Sequence, residues 1–215
     1  MKGKPPAGPE RDTYRHGDLR RALLDAAVAL AREGGPDAVV LREATRRAGV
    51  VPNAAYRHFA GREQLMLAVR AEALAQLAQF MEKELAALGP AKASAAYARA
   101  SVRAVGMGNI RFALDQPGLF RAAFSVGPLG AGDGDRAKAG ESGMNPFELL
   151  GAAVDRLVKA GGLSPDKRLG AEYVAWSAVH GLAMLAIDGP LRRLPRAQLE
   201  ALGQRVLDMV EQGLQ

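Results

Sequence analysis

The tightest constraint on the fold lies between Leu41 and Phe59, LREATRRAGVVPNAAYRHF. Leu41–Ala48 is made mostly of helix formers, and Gly49 behind it supplies the permissive backbone that a tight turn between helices needs. Val50 packs inward. Pro52 suits the first turn of a second short helix, where its missing N–H is not required. Ala54, Ala55 and Phe59 then face back into the protein. Pro52, Asn53, Tyr56, Arg57 and His58 are left on the exposed end and side. Two short helices joined in this way, the second turning polar and cationic side chains outward, form the pattern of a DNA-reading helix-turn-helix.

The distribution of charge agrees. Residues 1–62 hold 12 Lys and Arg against 7 Asp and Glu, while residues 63–215 hold 17 against 16. Nearly all of the +6 net charge therefore sits in the first third. That is the arrangement expected if this third meets a polyanion, and a basic tail with chance fluctuation is the plainer alternative.

Around this stretch, strand-favouring runs are almost absent, and the spacing of apolar residues predicts an all-α chain of about nine helices. At 48% hydrophobic residues there is enough apolar surface for a sizeable core. The chain has no cysteine, which excludes disulfides, thiolate metal sites and cysteine nucleophiles and fits a reducing cytoplasm. No apolar run approaches membrane-spanning length and the N-terminus has no signal-like apolar region, so a soluble, cytoplasmic protein with no membrane partner is expected.

Residues 1–14, with Lys2, Lys4, Arg11 and three prolines, read as a flexible arm. The arm is either an unstructured leader or a strand of chain that touches a DNA groove or backbone. The first helix is predicted from Gly17-Asp18 to about Glu33, with Asp18 as N-cap and Gly34-Gly35-Pro36 as terminator. Leu19, Leu23, Ala26, Ala27 and Leu30 make its buried face, and Arg20, Arg21 and Arg32 stay wet.

Further on, a helix over Arg62–Leu88 carries more than one apolar stripe, including Leu67, Phe80 and Met81, and so is expected to pack on both sides. Ala91–Leu114 forms the next, and Leu119–Phe124 a short one. The glycine-rich segment 125–143 reads as a mobile loop, either a lid or a plain connector. It is no phosphate loop, because no Gly-Lys-Ser/Thr follows. A helix over Pro146–Ala160 precedes one that starts after Ser164-Pro165, breaks near Gly170 and runs to about Ile187. The last spans about Leu194–Leu214, where Leu199, Leu202, Val206, Met209 and Val210 mark an amphipathic face.

Several motifs together resemble the TetR family of bacterial transcriptional regulators. They are Leu41-Arg42-Glu43, the Ala48-Gly49-Val50 turn, Tyr56-Arg57-His58-Phe59 and Arg62-Glu63-Gln64-Leu65, at fixed spacing across about residues 15–68. The resemblance implies a helix-turn-helix DNA-binding domain over 15–61 and a helical ligand-binding and dimerisation domain over 62–215. It also implies that Pro52, Asn53 and Ala54 face the bases and that Tyr56, His58 and Arg62 meet phosphates. On side-chain chemistry, Asn53 suits an adenine edge and Arg42 a guanine. The plainer reading of Tyr56 and His58 is that they fill a seam between helices. Two positions depart from the family pattern. Val51 stands where Ser or Thr usually caps the reading helix, which implies a poorer cap and one phosphate contact fewer. Thr45 stands where a small alanine is common.

Trp176, His180 and Gly181 resemble the signature of a family group named for those three residues, Trp-His-Gly. Trp176, His180 and Met184 share a helical face by i, i+4 spacing. That face is either ordinary core or part of a ligand wall with Phe80, Met81, Phe112 and Phe120. Three widely spaced histidines argue against a metal site, and no cofactor is expected. No catalytic motif is present, so an enzyme is not expected. The resemblance implies a homodimer joined through the last two helices, bound to a palindromic double-stranded operator and released by a small-molecule effector. A constitutive or architectural DNA-binding protein with no ligand is the competing reading.

Overall fold

The computed structural model describes residues 16–125 and 135–214. The expected N-terminal arm and the stretch 126–134 of the glycine-rich segment lie outside the described residues. Among those described there is no strand. There are nine α-helices, joined by short 3-10 turns.

Helix α1 (His16–Gly34) buries Leu23, Ala27, Leu30 and Ala31, the face that its 3.6-residue periodicity marks. It already runs at His16, so Asp18 stands inside the helix rather than at its cap. A 3-10 turn at Pro36–Ala38 leads to α2 (Leu41–Arg47) and α3 (Pro52–Ala55), both of which pack on α1.

Helix α4 (Arg62–Ala86) runs from beneath α1 into the rest of the molecule and packs against α1, α5 (Ala95–Asp115), α6 (Pro117–Phe124) and α7 (Pro146–Lys159). Of its predicted apolar stripe, Leu67 is instead half exposed, and Arg70 is buried in the opposite sense. The reason is a tertiary neighbour. The Arg70 Nε–H donates to the Ala123 carbonyl at 3.1 Å, near the end of α6, a bond no apolar side chain could make. Helix α5 starts at Ala95, four residues later than the sequence suggests, because the Ser94 hydroxyl caps it by accepting from the Tyr97 N–H at 3.2 Å.

Helix α5 is the hub, touching α4, α6, α7, α8 (Ala171–Ile187) and α9 (Arg196–Leu214). Close approach is possible because glycine stands at two crossings. A Cβ at Gly106 would lie 2.4 Å from a Leu207 methyl of α9, and one at Gly108 would lie 2.7 Å from the Met81 Cα of α4. Helix α7 opens on a capping box, with the Asn145 carboxamide accepting from the Phe147 and Glu148 N–H groups and Glu148 accepting from the Asn145 N–H. The break before α8 falls at Gly170, whose φ of 79° only glycine adopts freely.

The described end of the glycine-rich segment is held in place. A 3-10 turn at Arg136–Lys138 packs on α4, and the Glu82 carboxylate accepts from the Glu141 and Ser142 N–H groups, each at 2.9 Å. Residues 135–143 are therefore docked, not a loose connector.

Candidate nucleic-acid interface and bundle pocket

Leu41, Ala44 and Thr45 bury the inner face of α2, and the Thr45 hydroxyl donates back to the Arg42 carbonyl at 2.7 Å. A hydroxyl is thereby accommodated where the family pattern favours alanine. Gly49 follows with a φ of 67°, the left-handed turn that reverses the chain. Helix α3 begins at Pro52 behind Val51, which makes no side-chain capping bond and is 69% exposed. The expected deficit in capping is present. Helix α3 is also shorter than its motif suggests: regular helix ends at Ala55, and hydrogen bonds from the His58 and Phe59 N–H groups to the Ala55 carbonyl carry the chain round.

This geometry decides which side chains face out. Ala55 and Phe59 are buried, Phe59 completely, with the Arg20 guanidinium 5.1 Å from its ring centre. Arg42, Pro52, Asn53, Tyr56 and Arg57 are exposed, and Ala54 and His58 are half-buried. Tyr56 is 59% exposed, so it does not fill a seam between helices. None of the side chains of Arg42, Asn53, Tyr56, Arg57 or His58 bonds to another described residue, and all are left free to meet a partner.

The neighbouring acids are already neutralised. Glu43 takes hydrogen bonds from Arg46 at 2.7 and 2.8 Å and from Arg47 at 3.3 Å, which push its carboxyl down to about 2. Arg47 also holds both oxygens of Glu33 on α1 at 2.7 Å. The Arg62 guanidinium donates to the carbonyls of Val39 at 2.9 Å and Pro36 at 2.8 Å, so it ties α4 to the loop before α2, and three of its five N–H groups remain.

The C-terminal helices enclose an apolar pocket of about 30 Å³. Helix α4 gives it Leu77 and Met81, and α5 gives Val102, Val105, Gly106 and Asn109. Phe124 of α6, Phe147 and Leu150 of α7, Trp176 and Val179 of α8 and Leu207 of α9 complete the wall. Of the expected lining, Met81 and Trp176 belong to it. Phe112 and Phe120 are completely buried in the core behind, and Phe80 packs edge-on to Phe112 at 5.2 Å. Met184 sits on the outer face of α8, 36% exposed. His180 stands one layer back. It stacks on Phe120 at 5.2 Å and meets Phe124 and Trp176, with its Nδ1 buried and unpaired, and burial pushes its pKa down.

Asn109 was not foreseen. The one local clue is a lone carboxamide in the apolar run Gly106-Met107-Gly108-Asn109-Ile110. Among the described residues, no three His, Asp or Glu side chains cluster to hold a metal ion, and no helix is long and apolar enough to cross a membrane.

Known proteins place this arrangement. A structure of a protein of unknown function from Rhodococcus sp. RHA1 is 27% identical with a TM-score of 0.72, over 95% of this chain and 99% of that one. A TetR protein from Acinetobacter baumannii AYE in complex with minocycline is 20% identical with a TM-score of 0.61, over 89% and 93%. A TetR-family regulator from Mesorhizobium loti MAFF303099 is 18% identical with a TM-score of 0.58, over 91% and 96%. The last two likenesses concern the fold alone. No curated protein matches the sequence. Residues 23–69 match the family model for bacterial regulatory proteins of the tetR family, and residues 102–210 match the model for a tetracyclin repressor-like C-terminal domain. With the helix-turn-helix at one end and that C-terminal domain over half its length, the chain belongs to the TetR family of transcriptional regulators, DNA-binding proteins rather than enzymes.

Proposed function

We propose that this protein is a homodimeric, sequence-specific repressor that a small molecule releases from a palindromic operator. The observation that carries the reading is the outward face of α2 and α3, where Arg42, Asn53, Tyr56, Arg57 and His58 stand without partners among the described residues, beside acids that other arginines neutralise. Residues 15–61 act as the reading head and 62–215 as the effector and dimerisation domain. Pro52, Asn53 and Ala54 meet base edges. Tyr56 and His58 donate to phosphate oxygens, and Arg57 adds charge at the flank.

A dimer through α8 and α9 is supported by apolar side chains that a lone chain leaves wet. Tyr173, Val174 and Leu185 on α8 and Met209 on α9 are each 46–60% exposed. Twofold pairing sets two heads on successive major grooves of a palindrome.

Ligand control is supported by the route from pocket to head. Phe124 lines the pocket at one end of α6. At the other end Gly118 presses on α1, where an added Cβ would lie 2.2 Å from the Ala31 carbonyl oxygen. A molecule that displaces Phe124 shifts α6 against α1, and its differential affinity for the two arrangements limits the response. The ligand-independent reading draws on the pocket's size, about 30 Å³ against the roughly 300 Å³ lower end for ligand sites, so binding requires the helices to part.

The test is selection of bound sites from random DNA, followed by a screen for compounds that release the best one. A palindromic consensus and a releasing compound are expected. Absence of sequence preference rejects the regulator, and a palindrome that no compound releases favours the ligand-independent form.

A further inference from the structure

The bundle pocket is uniform except at one point. No charged side chain lines it, and apart from the indole N–H of Trp176 its only polar side chain is Asn109. Asn109 sits on α5, the hub of the bundle, is 1% exposed, and leaves its Nδ2 without a hydrogen-bond partner among the described residues. A buried, unpaired amide N–H in an apolar wall is destabilising, and leucine has a similar shape without that penalty. A core built only for packing has no use for asparagine here.

We infer that Asn109 is the polar anchor of the pocket, donating a hydrogen bond to a carbonyl or hydroxyl oxygen on an otherwise apolar, uncharged molecule. The inference rests on the reading of this pocket as the effector site. Charge on the ligand is excluded by the wall. No arginine, lysine or carboxylate faces the space, and an ion there would be desolvated without a counter-ion. His180 lies behind Phe124 and Trp176, and its burial keeps the imidazole neutral. The space of about 30 Å³ does not hold a ring as it stands, so a compact molecule enters only as the helices part. Selectivity then comes from the amide: a ligand with the oxygen pairs it, and one without leaves it orphaned.

The probes are indane and 1-indanone, which differ by one carbonyl. Each is titrated into the full chain and followed by fluorescence of Trp176, the chain's only tryptophan, with melting temperature as a second readout. The wild-type preference for 1-indanone over indane is expected to exceed that of Asn109→Leu by about tenfold, with the variant melting at or above wild type. If Asn109→Leu does not fold, Asn109→Ala carries the same comparison and is expected to lose the same preference. Equal preference in wild type and variant, with both compounds bound, overturns the anchor and leaves the pocket reading intact. Binding of neither compound to the wild type overturns the pocket reading and the anchor with it.

Discussion

Helices α3 and α5 treat a side chain without a partner in opposite ways. Helix α3 buries one of its four residues, Ala55, and turns Asn53 and the Tyr56 and Arg57 that follow it into water. Helix α5 has 21 residues and buries twelve, Asn109 among them. On α3 the open donors are exposed to solvent, so leaving them unpaired within the protein costs little. On α5 the open donor is buried among apolar side chains, where an unpaired amide is destabilising. The arginines divide similarly. The bundle pairs Arg103 with Asp208, Arg111 with Glu84, Arg121 with Asp188, Arg168 with Glu172 and Arg196 with Asp115. In the head Arg46, Arg47 and Arg62 are engaged, and Arg42 and Arg57 have no partner among the described residues. The buried donors left open among the described residues, Asn109 Nδ2 among them, all lie in the bundle.

The contrast is tested most severely at Phe59, the completely buried ring under α3. Phe59→Ala is expected to destabilise the head by about 3–5 kcal/mol. Hydrogen exchange should show lost protection across α1–α3 while Trp176 fluorescence reports an intact bundle. Simultaneous loss of both signals would mean that the two regions fold as one unit.

Tyr56→Phe removes one exposed hydroxyl and no buried surface. Operator affinity is expected to fall roughly tenfold, about 1.4 kcal/mol, with the melting temperature unchanged. Unchanged affinity at physiological salt would remove Tyr56 from the interface.

Val51→Ser tests the missing cap. Its side chain is already mostly in water, so little packing is lost, and a serine oxygen would accept from the Ala54 N–H. A gain of up to about 1 kcal/mol in head stability is expected by chemical denaturation, with somewhat tighter DNA binding. A loss of stability would show that valine packs where its exposure says it does not.

The smallest expected effect is a slope with pH. Burial lowers the His180 pKa in the folded protein, whereas the unfolded chain titrates near about 6.5. The unfolded state therefore takes up a proton first as pH falls. The stability associated with a neutral His180 is complete above about 6.5 and declines below it. Glu43 acts in a lower window, because its carboxyl is held near 2. Urea unfolding at pH 7.5 and 5.5 should show a steeper loss for wild type than for His180→Phe. Parallel losses would place the proton uptake elsewhere.

Local rules explain what was legible. The α1 face through Leu23, Ala27 and Leu30, the turn at Gly49, the start of α3 at Pro52 and the break at Gly170 are each dictated within a few residues, by periodicity or by a φ that only one residue type adopts freely. Even the absent cap at Val51 is readable, because a cap needs a side-chain acceptor and valine has none. The outward set on α2 and α3 follows from the same local geometry.

The pocket was only partly legible, since a wall assembled from six helices has no local signature. Periodicity marks Phe112, Phe120 and Met184 as apolar, but only packing decides that the first two are sealed core and the third lies outside. The same holds for the exchange of Leu67 and Arg70 on α4, which the Ala123 carbonyl sets, and for Arg62, drawn to two carbonyls of the loop before α2. The sequence alone determined the helices, their turns and the residues that a reading head turns outward, because those depend on neighbours in the chain. Tertiary structure decided which apolar residues enclose space, which arginines are already taken and where one amide goes unpaired, because those depend on neighbours that only folding brings together.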